Sequence, residues 1–281
     1  MVGKMKQMLR LLALYTRMDF QWFTQDTAVC AVCIFSDLLS SIASISGLFL
    51  LAVRFTGVGG LTADEVLFML GFYTMAFGFT FMLTGSNNVN AMSRRIGRGQ
   101  VDHMLIQPIP IWMQILTEGF LPVSGNANFI CGVILMAVSA SRIGITVTAG
   151  WLLLVILYTL LHMGIMTGIN FLTGSAAFYR PAACEEISSI ASDLMYTVGK
   201  YPLSGMPAWA ITVLTTILPA GLLAWLPALT LLQKNEAGVT LLLPMTVMAV
   251  LLSLARFAFQ KGMKYYVQKG INRYRTLGFR G

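Results

Sequence analysis

The sequence predicts an all-α polytopic membrane protein, and two observations lead to this prediction. The chain of 281 residues is 57% hydrophobic and only 11% charged, whereas soluble domains carry roughly 25% charged residues. Its apolar residues also gather into runs of about 20, the length that a helix needs to cross the hydrocarbon core of a bilayer. Backbone polar groups find no water there, so such runs are expected to form helices.

Six spans within a single membrane domain, 1–281, are predicted. Five of the runs are clear, and one further crossing is expected between residues 181 and 233. The predicted spans are 27–53, 62–85, 111–139, 145–175, 182–200 and 239–260.

The distribution of positive charge predicts the orientation. An even number of crossings places both termini on one side of the membrane. All but four of the 19 Lys and Arg residues fall on that side, and cytoplasmic segments carry the excess of Lys and Arg. Both termini, the loop 93–110 and the basic tail 261–281 are therefore expected in the cytoplasm.

The segment 1–24 is predicted to be an amphipathic helix rather than a span. Lys6, Arg10 and Arg17 share one helical face, while Met8 and Leu12 lie on another. A helix of this kind lies flat on a membrane surface with its apolar face among the lipid headgroups. A plain N-terminal anchor is an alternative role for it.

A polar stripe runs along the first predicted span. Its members recur at steps of three and four residues, so they share one broad face of the helix. A carboxylate within a span usually faces the interior of the bundle or an aqueous path, and we expect a translocation path here. Packing against another helix is the alternative for the serines. The predicted path residues are Asp37, Ser40, Ser41 and Ser44.

Small residues in the fourth predicted span indicate close helix packing. Gly164 and Gly168 of "GIMTG" are four residues apart, a spacing that lets a neighbouring helix approach closely.

The stretch 201–232 allows two interpretations. Its prolines remove backbone hydrogen bonds and divide it into pieces too short to cross a bilayer. Either this stretch is a kinked fifth span, or 182–200 is the span and 201–232 forms re-entrant helices on the outer side. The prolines are Pro202, Pro207, Pro219 and Pro227.

Motifs for chemistry on this chain are missing from the sequence. No phosphate-binding loop of the form G-x-x-x-x-G-K-[ST] occurs, so no nucleotide or other cofactor is expected to bind this chain. His103 and His162 lack the spacing of metal ligands. A membrane-embedded enzyme that uses Asp37, Glu118 or His162 is one alternative function, although no motif spacing supports it, and a passive channel is another.

Four short motifs carry a resemblance to a known family. "GQVDHMLIQPIP" (99–110) resembles the G-x-L-D-x-x-L-x-x-P signature in the cytoplasmic loop of type 2 ATP-binding cassette exporter permeases. "LYTRMDF" (14–20) resembles their Y-x-x-D-F, and "YPLSGMP" (201–207) with "LPAGLLAWLPALTLL" (218–232) resembles their proline-rich block. "GINRYRTLG" (270–278) resembles their C-terminal motif, with Thr276 in place of the usual serine. The matches follow the family's order along nearly the whole chain.

The resemblance implies a bacterial plasma-membrane permease subunit of an ATP-driven exporter. Such a subunit pairs with a second permease, the same or a different chain, and binds two copies of a cytosolic ATPase that carries ATP and Mg; no nucleic acid is involved. The segment 1–24 would be an elbow helix, and 201–232 would form an outer gate at its four prolines. Few fixed charges in the spans favour an amphiphilic cargo, such as an antibiotic, a peptide or a lipid-like molecule.

The loop 93–110 would carry a coupling helix that docks on the ATPase. Gly97 and Gly99 permit a tight turn, and Asp102 is expected to cap the helix or favour its N-terminus. Met104 and Leu105 would form an apolar knob. Pro108 would end the helix, and a second contact would come from 178–187. Arg94, Arg95 and Arg98 are expected mainly to anchor the loop at lipid headgroups. The predicted coupling residues are Gly97, Gly99, Asp102, Met104, Leu105, Pro108, Tyr179 and Arg180.

Overall fold

A computed structural model of the chain describes residues 2–84, 93, 95–96 and 99–269. Every regular element within these residues is a helix, so the predicted all-α fold is confirmed. Short 3₁₀ helices at Ser175–Phe178 and Pro219–Leu222 join longer elements. The α-helices are α1 (Val2–Gln25), α2 (Thr27–Arg54), α3 (Ala63–Thr84), α4 (Gln100–Leu105), α5 (Ile111–Thr117), α6 (Ala127–Ile143), α7 (Ala149–Gly174), α8 (Pro181–Val198), α9 (Ala208–Thr216), α10 (Trp225–Leu231) and α11 (Ala237–Lys269).

Four of the described helical segments are long and apolar enough to cross a membrane. They are Thr27–Arg54, Ala63–Thr84, Ala149–Phe178 and Thr240–Lys269. A fifth candidate is a pair of helices, Ala208–Thr216 and Pro219–Leu231, that is bent by 72°. The chain is thus a multi-pass membrane protein, and the count of six spans stays a prediction.

The expected continuous helix over 111–139 is wrong. The structure has α5 and α6 there, separated by residues 118–126. This connection reads "GFLPVSGN" from Gly119 to Asn126, and Pro122 lies at its centre. A proline has no backbone N–H to donate to the preceding helical turn, and its ring clashes with that turn. Pro122, with Gly119 and Gly125 on either side of it, therefore accounts for the break.

The helix α3 forms the centre of the bundle. Of its most apolar stretch 72% is buried, against 17% for α2. Glycines allow α6 to lie directly against it, since a Cβ on Gly71 would sit only 2.6 Å from the Met136 backbone nitrogen. Gly164 and Gly168 of α7 lie close to α11, where a Cβ on them would meet the Met248 side chain and Leu251, respectively. The close packing predicted from "GIMTG" is therefore confirmed.

The bundle has two ends, which we call basal and distal. The basal end holds α4, and the distal end holds the hairpin 55–62 between α2 and α3. A capping box starts α3 at the hairpin, because the Glu65 carboxylate accepts from the Thr62 backbone N–H at 2.9 Å and the Thr62 hydroxyl accepts from the Glu65 N–H. Lys234 also pairs with Glu65 at 2.7 Å, which fixes the residues after α10 at the distal end.

The segment 201–232 enters the bundle from the distal end and returns to it. The Trp151 indole donates to the Leu231 carbonyl at 3.0 Å, and a His162 ring nitrogen lies 3.1 Å from the Leu223 carbonyl. Trp151 and His162 are eleven residues apart on α7, or about 16 Å along a helix. At its start, Pro202 packs beside Gly59 of the hairpin. This course favours re-entrant helices over a kinked span.

Candidate functional site

A second, small hydrophobic core lies at the basal end, apart from the main one. It joins the short helix α4 to α5, to the 3₁₀ turn after α7, to α8 and to the last part of α11. We call it the basal cluster. Its buried members are Ile96, Val101, Met104, Ile115, Ala177, Phe178, Cys184 and Tyr266.

Gly99 and Asp102 fix the start of α4. Gly99 precedes the helix in the left-handed conformation, with φ 72°, which glycine adopts without steric cost. Asp102 lies in the first turn of α4, where a carboxylate favours the helix N-terminus as predicted. Its carboxylate also accepts a hydrogen bond of 2.6 Å from the Tyr266 hydroxyl. Asp102 therefore connects α4 to α11.

The apolar residues at the end of α4 divide between the cluster and the surface. Met104 is buried, with 8% of its surface exposed, whereas Leu105 is 42% and Ile106 is 82% exposed. The exposed apolar pair is thus Leu105 and Ile106 rather than the predicted Met104 and Leu105. Pro108 follows on the exposed side.

Gln114 fastens the chain that leaves α4, and sequence reasoning missed it. Its side-chain amide donates to the carbonyls of Met104 at 3.0 Å and Ile109 at 2.6 Å. Met104 lies near the C-terminus of α4 and Ile109 in the loop that follows, so this one amide connects both to α5. The exposed pair therefore stands on a support that is hydrogen-bonded as well as packed.

The predicted second contact adjoins the same cluster. Tyr179 and Arg180 are exposed directly after buried Phe178. The Tyr179 ring lies 4.8 Å from that of Tyr265 on α11, and Gly262 leaves room for the Phe178 ring. Gly97, like Arg94 and Arg98, lies outside the described residues.

The N-terminal helix is bound to the break in the third predicted span. Asp19, only 4% exposed, accepts from the backbone N–H groups of Val123 at 2.8 Å and Ser124 at 3.1 Å. The Ser124 hydroxyl donates to its other oxygen. Asp19 is the acidic residue of "LYTRMDF", and its contact partners were not predicted.

An ion pair connects the break to the segment before α4. The Arg95 guanidinium lies 2.8 Å from the Glu118 carboxylate. Arg95 was expected mainly to anchor the loop at lipid headgroups, and its partner within the protein was not predicted. Tyr15 of α1 lies close by. Burial raises the pKa of Tyr15, and the Glu118 carboxylate raises it further.

The predicted path residues line one cleft, which we call the polar cleft. It has a volume of about 350 Å³ and lies between α2, α3, α6 and the end of α8. Its lining residues are Asp37, Ser40, Ser41, Ser44, Ile45, Leu70, Tyr73, Thr74, Phe77, Phe81, Asn128, Tyr196 and Lys200. The periodicity of α2 thus identified one wall of a real cavity, and three other helices supply the rest.

Asn128 and Lys200 are polar members of this lining that sequence reasoning missed. The Ser41 hydroxyl bonds to the Asn128 side-chain oxygen, and the Lys200 ammonium donates to the Ser44 hydroxyl at 2.6 Å. Within the described part of the chain, neither Asp37 nor Lys200 forms an ion pair. The cleft therefore presents one carboxylate and one ammonium to whatever occupies it.

A family model supplies the classification of this arrangement. The model described as "ABC-2 family transporter protein" matches residues 38–270, which is most of the chain. The chain belongs to the ABC-2 transporter family. Its members are membrane subunits of ATP-binding cassette transporters, which associate with an ATPase and are not themselves enzymes. Comparisons with curated proteins and with solved structures found no match.

The residues considered for an enzyme do not meet in this ABC-2 protein. His162 is fully buried beside Leu223, Glu118 pairs with Arg95, and Asp37 lines the polar cleft. Nor do three or more His, Cys, Asp or Glu side chains form a possible metal site among the residues that the structure describes.

Four prolines were expected at the outer gate of this ABC-2 protein. Three of them lie at or near the boundaries of helices. Pro202 lies in the turn after α8, Pro207 precedes α9, and Pro219 begins the second 3₁₀ helix. Pro227 lies within the first turns of α10, where its missing N–H costs little. All four belong to the segment 201–232.

Proposed function

We propose that this chain is the permease subunit of an ATP-driven exporter in a bacterial plasma membrane. It would span the membrane six times with both termini in the cytoplasm, so that the basal end faces the cytosol and α1 lies on the inner leaflet. Two copies of a cytosolic ATPase, carrying ATP and Mg, would bind the basal end. A second permease, identical or different, would complete the path.

The carrying observation is the exposed apolar pair, Leu105 and Ile106, on a firmly held support. An exposed isoleucine next to charged and polar loops is unfavourable in water and favourable in a partner's cleft. Asp102, Gln114 and the basal cluster fix this pair to α5 and α11. A push on α4 would therefore tilt these helices rather than deform a loop.

Six crossings are supported by the course of α8. Although too polar to count among the apolar helices, α8 begins in the basal cluster at Cys184 and ends near the hairpin, where Pro202 packs beside Gly59. It thus connects the two ends of the bundle, and its polar residues Asp193 and Ser192 need not face lipid in a protein that pairs with a second permease.

The polar cleft would be this subunit's share of the translocation path. Ligand cavities commonly measure about 300–1,000 Å³, and the cleft lies within that range. Aromatic and aliphatic residues cover much of its wall, with Asp37 and Lys200 as fixed charges. This combination suits an amphiphile that bears polar groups, such as a peptide or an antibiotic.

The coupling assignment is tested by placing charge on the exposed pair. The tagged chain is purified from membranes of its own host, and the accompanying ATPase is identified by its phosphate loop. Leu105→Glu with Ile106→Glu should lower recovery of that ATPase at least about tenfold, since buried apolar anchors dominate interface energies. Cargo-stimulated ATP hydrolysis should fall in parallel.

The matched control is Gln107→Glu, which adds one negative charge, against two in the double variant, at an exposed neighbour and removes no apolar surface. It should leave recovery nearly unchanged. Undiminished ATPase recovery and transport in the double variant would refute the docking role of α4, and conductance without nucleotide would favour a channel.

A further inference from the structure

A second cleft opens on another side of the bundle, and we call it the apolar cleft. It has a volume of about 540 Å³ and lies between α5, α7 and α11. It shares no lining residue with the polar cleft. The lining residues are Trp112, Leu116, Thr167, Phe171, Leu252, Ala255, Arg256, Phe259 and Gln260.

Arg256 is the only charged residue in this lining, all of which is described. No carboxylate lines the cleft, and Arg256 forms no ion pair within the described part of the chain. Arg256 is exposed on the surface of the bundle, where its guanidinium can form charge-assisted hydrogen bonds with an anion. The cleft therefore offers one positive charge that an anionic occupant could bind.

The remaining lining has the two-part character of a lipid site. Trp112 and Gln260 line the same cleft as Arg256 and offer neutral N–H donors, and tryptophan favours the membrane–water interface. Leu116, Phe171 and Leu252 continue the cleft as an apolar wall. Phe259 marks its position at the basal end, because its ring lies 5.4 Å from that of Phe178 in the basal cluster.

We propose that the apolar cleft binds one anionic phospholipid, with the phosphate at Arg256 and an acyl chain along Leu116, Phe171 and Leu252. Basic pockets between spans at the cytoplasmic face bind anionic headgroups. The assignment to the inner leaflet rests on the orientation proposed above, whereas the binding itself does not. An inorganic anion would leave the apolar wall uncovered, so the lipid is the better occupant.

A second copy of this chain fits the cleft less well. A two-fold contact centred on the cleft would place two Arg256 side chains against each other. No acidic residue in the lining could separate the two charges. The charge pattern thus favours a small anionic occupant over the same surface of another copy.

The test measures lipid retained by the purified full-length protein. The protein is exchanged into detergent with equal amounts of phosphatidylglycerol and phosphatidylcholine, and bound lipid is counted by native mass spectrometry. Wild type should retain one phosphatidylglycerol in preference to phosphatidylcholine. Arg256→Gln should reduce that retention about tenfold, the loss expected for one charge-assisted hydrogen bond.

Two further variants separate the lipid site from general effects. Lys261→Gln removes an exposed positive charge one residue beyond the lining and should retain the lipid. Leu252→Trp fills the apolar wall while leaving Arg256 in place, and it should lose the lipid. This variant keeps the test decisive if Arg256→Gln fails to fold.

Several outcomes would overturn the proposal. Equal retention of the two lipids, or equal retention by wild type and Arg256→Gln, would make the bound molecules ordinary annular lipid. Displacement of phosphatidylglycerol by inorganic phosphate would assign Arg256 to a free anion, and a shift to monomer in Arg256→Gln would assign the cleft to a contact between copies. The Leu105→Glu, Ile106→Glu variant should keep the lipid, so failure of ATPase docking and failure of lipid binding are distinguishable.

Discussion

The polar cleft and the apolar cleft occupy the same bundle but hold their charges in opposite ways. In the polar cleft, Asp37 and Lys200 provide both signs and hydroxyl groups lie between them. In the apolar cleft, Arg256 is the single charge among aromatic and aliphatic side chains. A lining with both signs can pair with cationic and with anionic groups, whereas a lining with one guanidinium pairs with an anion.

The largest expected effect is a loss of transport when the charges of the polar cleft are removed, with no change in lipid binding at the apolar cleft. Asp37→Asn and Lys200→Gln should each reduce cargo transport by reconstituted complexes about tenfold, because each removes a charged contact to the cargo. Phosphatidylglycerol retention should not change in either variant.

The control for these variants is Arg54→Gln, at the distal end of α2 and outside the lining. It should transport normally. If Asp37→Asn and Lys200→Gln transport like Arg54→Gln, the polar cleft is not the path.

A smaller effect compares the helix contacts behind the two clefts. A Cβ on Gly78 of α3 would meet the backbone of Phe129 on α6, beside the polar cleft, whereas one on Gly164 of α7 would meet the flexible Met248 side chain. We expect Gly78→Ala to destabilise the fold by about 2 kcal/mol. Gly164→Ala should cost less than about 1 kcal/mol, because methionine adapts its rotamer.

Thermal unfolding in detergent measures this difference. Gly47→Ala serves as the reference, since nothing lies within 4 Å of a Cβ there. Equal losses at Gly78 and Gly164 would show that the α3–α6 contact is no more rigid than the α7–α11 contact.

The smallest expected effect concerns the hydrogen bonds inside the polar cleft. Ser41→Ala removes the hydroxyl that bonds to Asn128 and should cost about 1 kcal/mol of stability. Ser36→Ala, on the exposed part of α2 outside the lining, is the matched control. A loss in the control as large as that in Ser41→Ala would mean that the Asn128 contact contributes nothing.

The sequence predicted the features of this fold that depend on helical periodicity within a single segment. Helical periodicity alone placed Asp37, Ser40, Ser41 and Ser44 on one face, and all four line the polar cleft. Lys200 joins them from 156 residues beyond Ser44. No local pattern marks such a partner, since its position depends on how the helices pack.

Errors arose where hydropathy and backbone chemistry disagreed. The run 111–139 has a mean hydropathy that favours one span, but the helix is broken between Thr117 and Ala127, around Pro122. At Asp102, the local pattern predicted the position in the first turn of α4. It could not predict the contact with Tyr266, which lies 164 residues away in sequence.

The Asp19 contact also sets an order of assembly. Asp19 leaves the ribosome 104 residues before Val123, the first of its backbone donors. During that interval α2 and α3 are synthesised while α1 still lacks the groups that satisfy its carboxylate. The N-terminal helix is therefore among the first parts of this chain to be made, and it forms this contact only after Val123 and Ser124 have been synthesised.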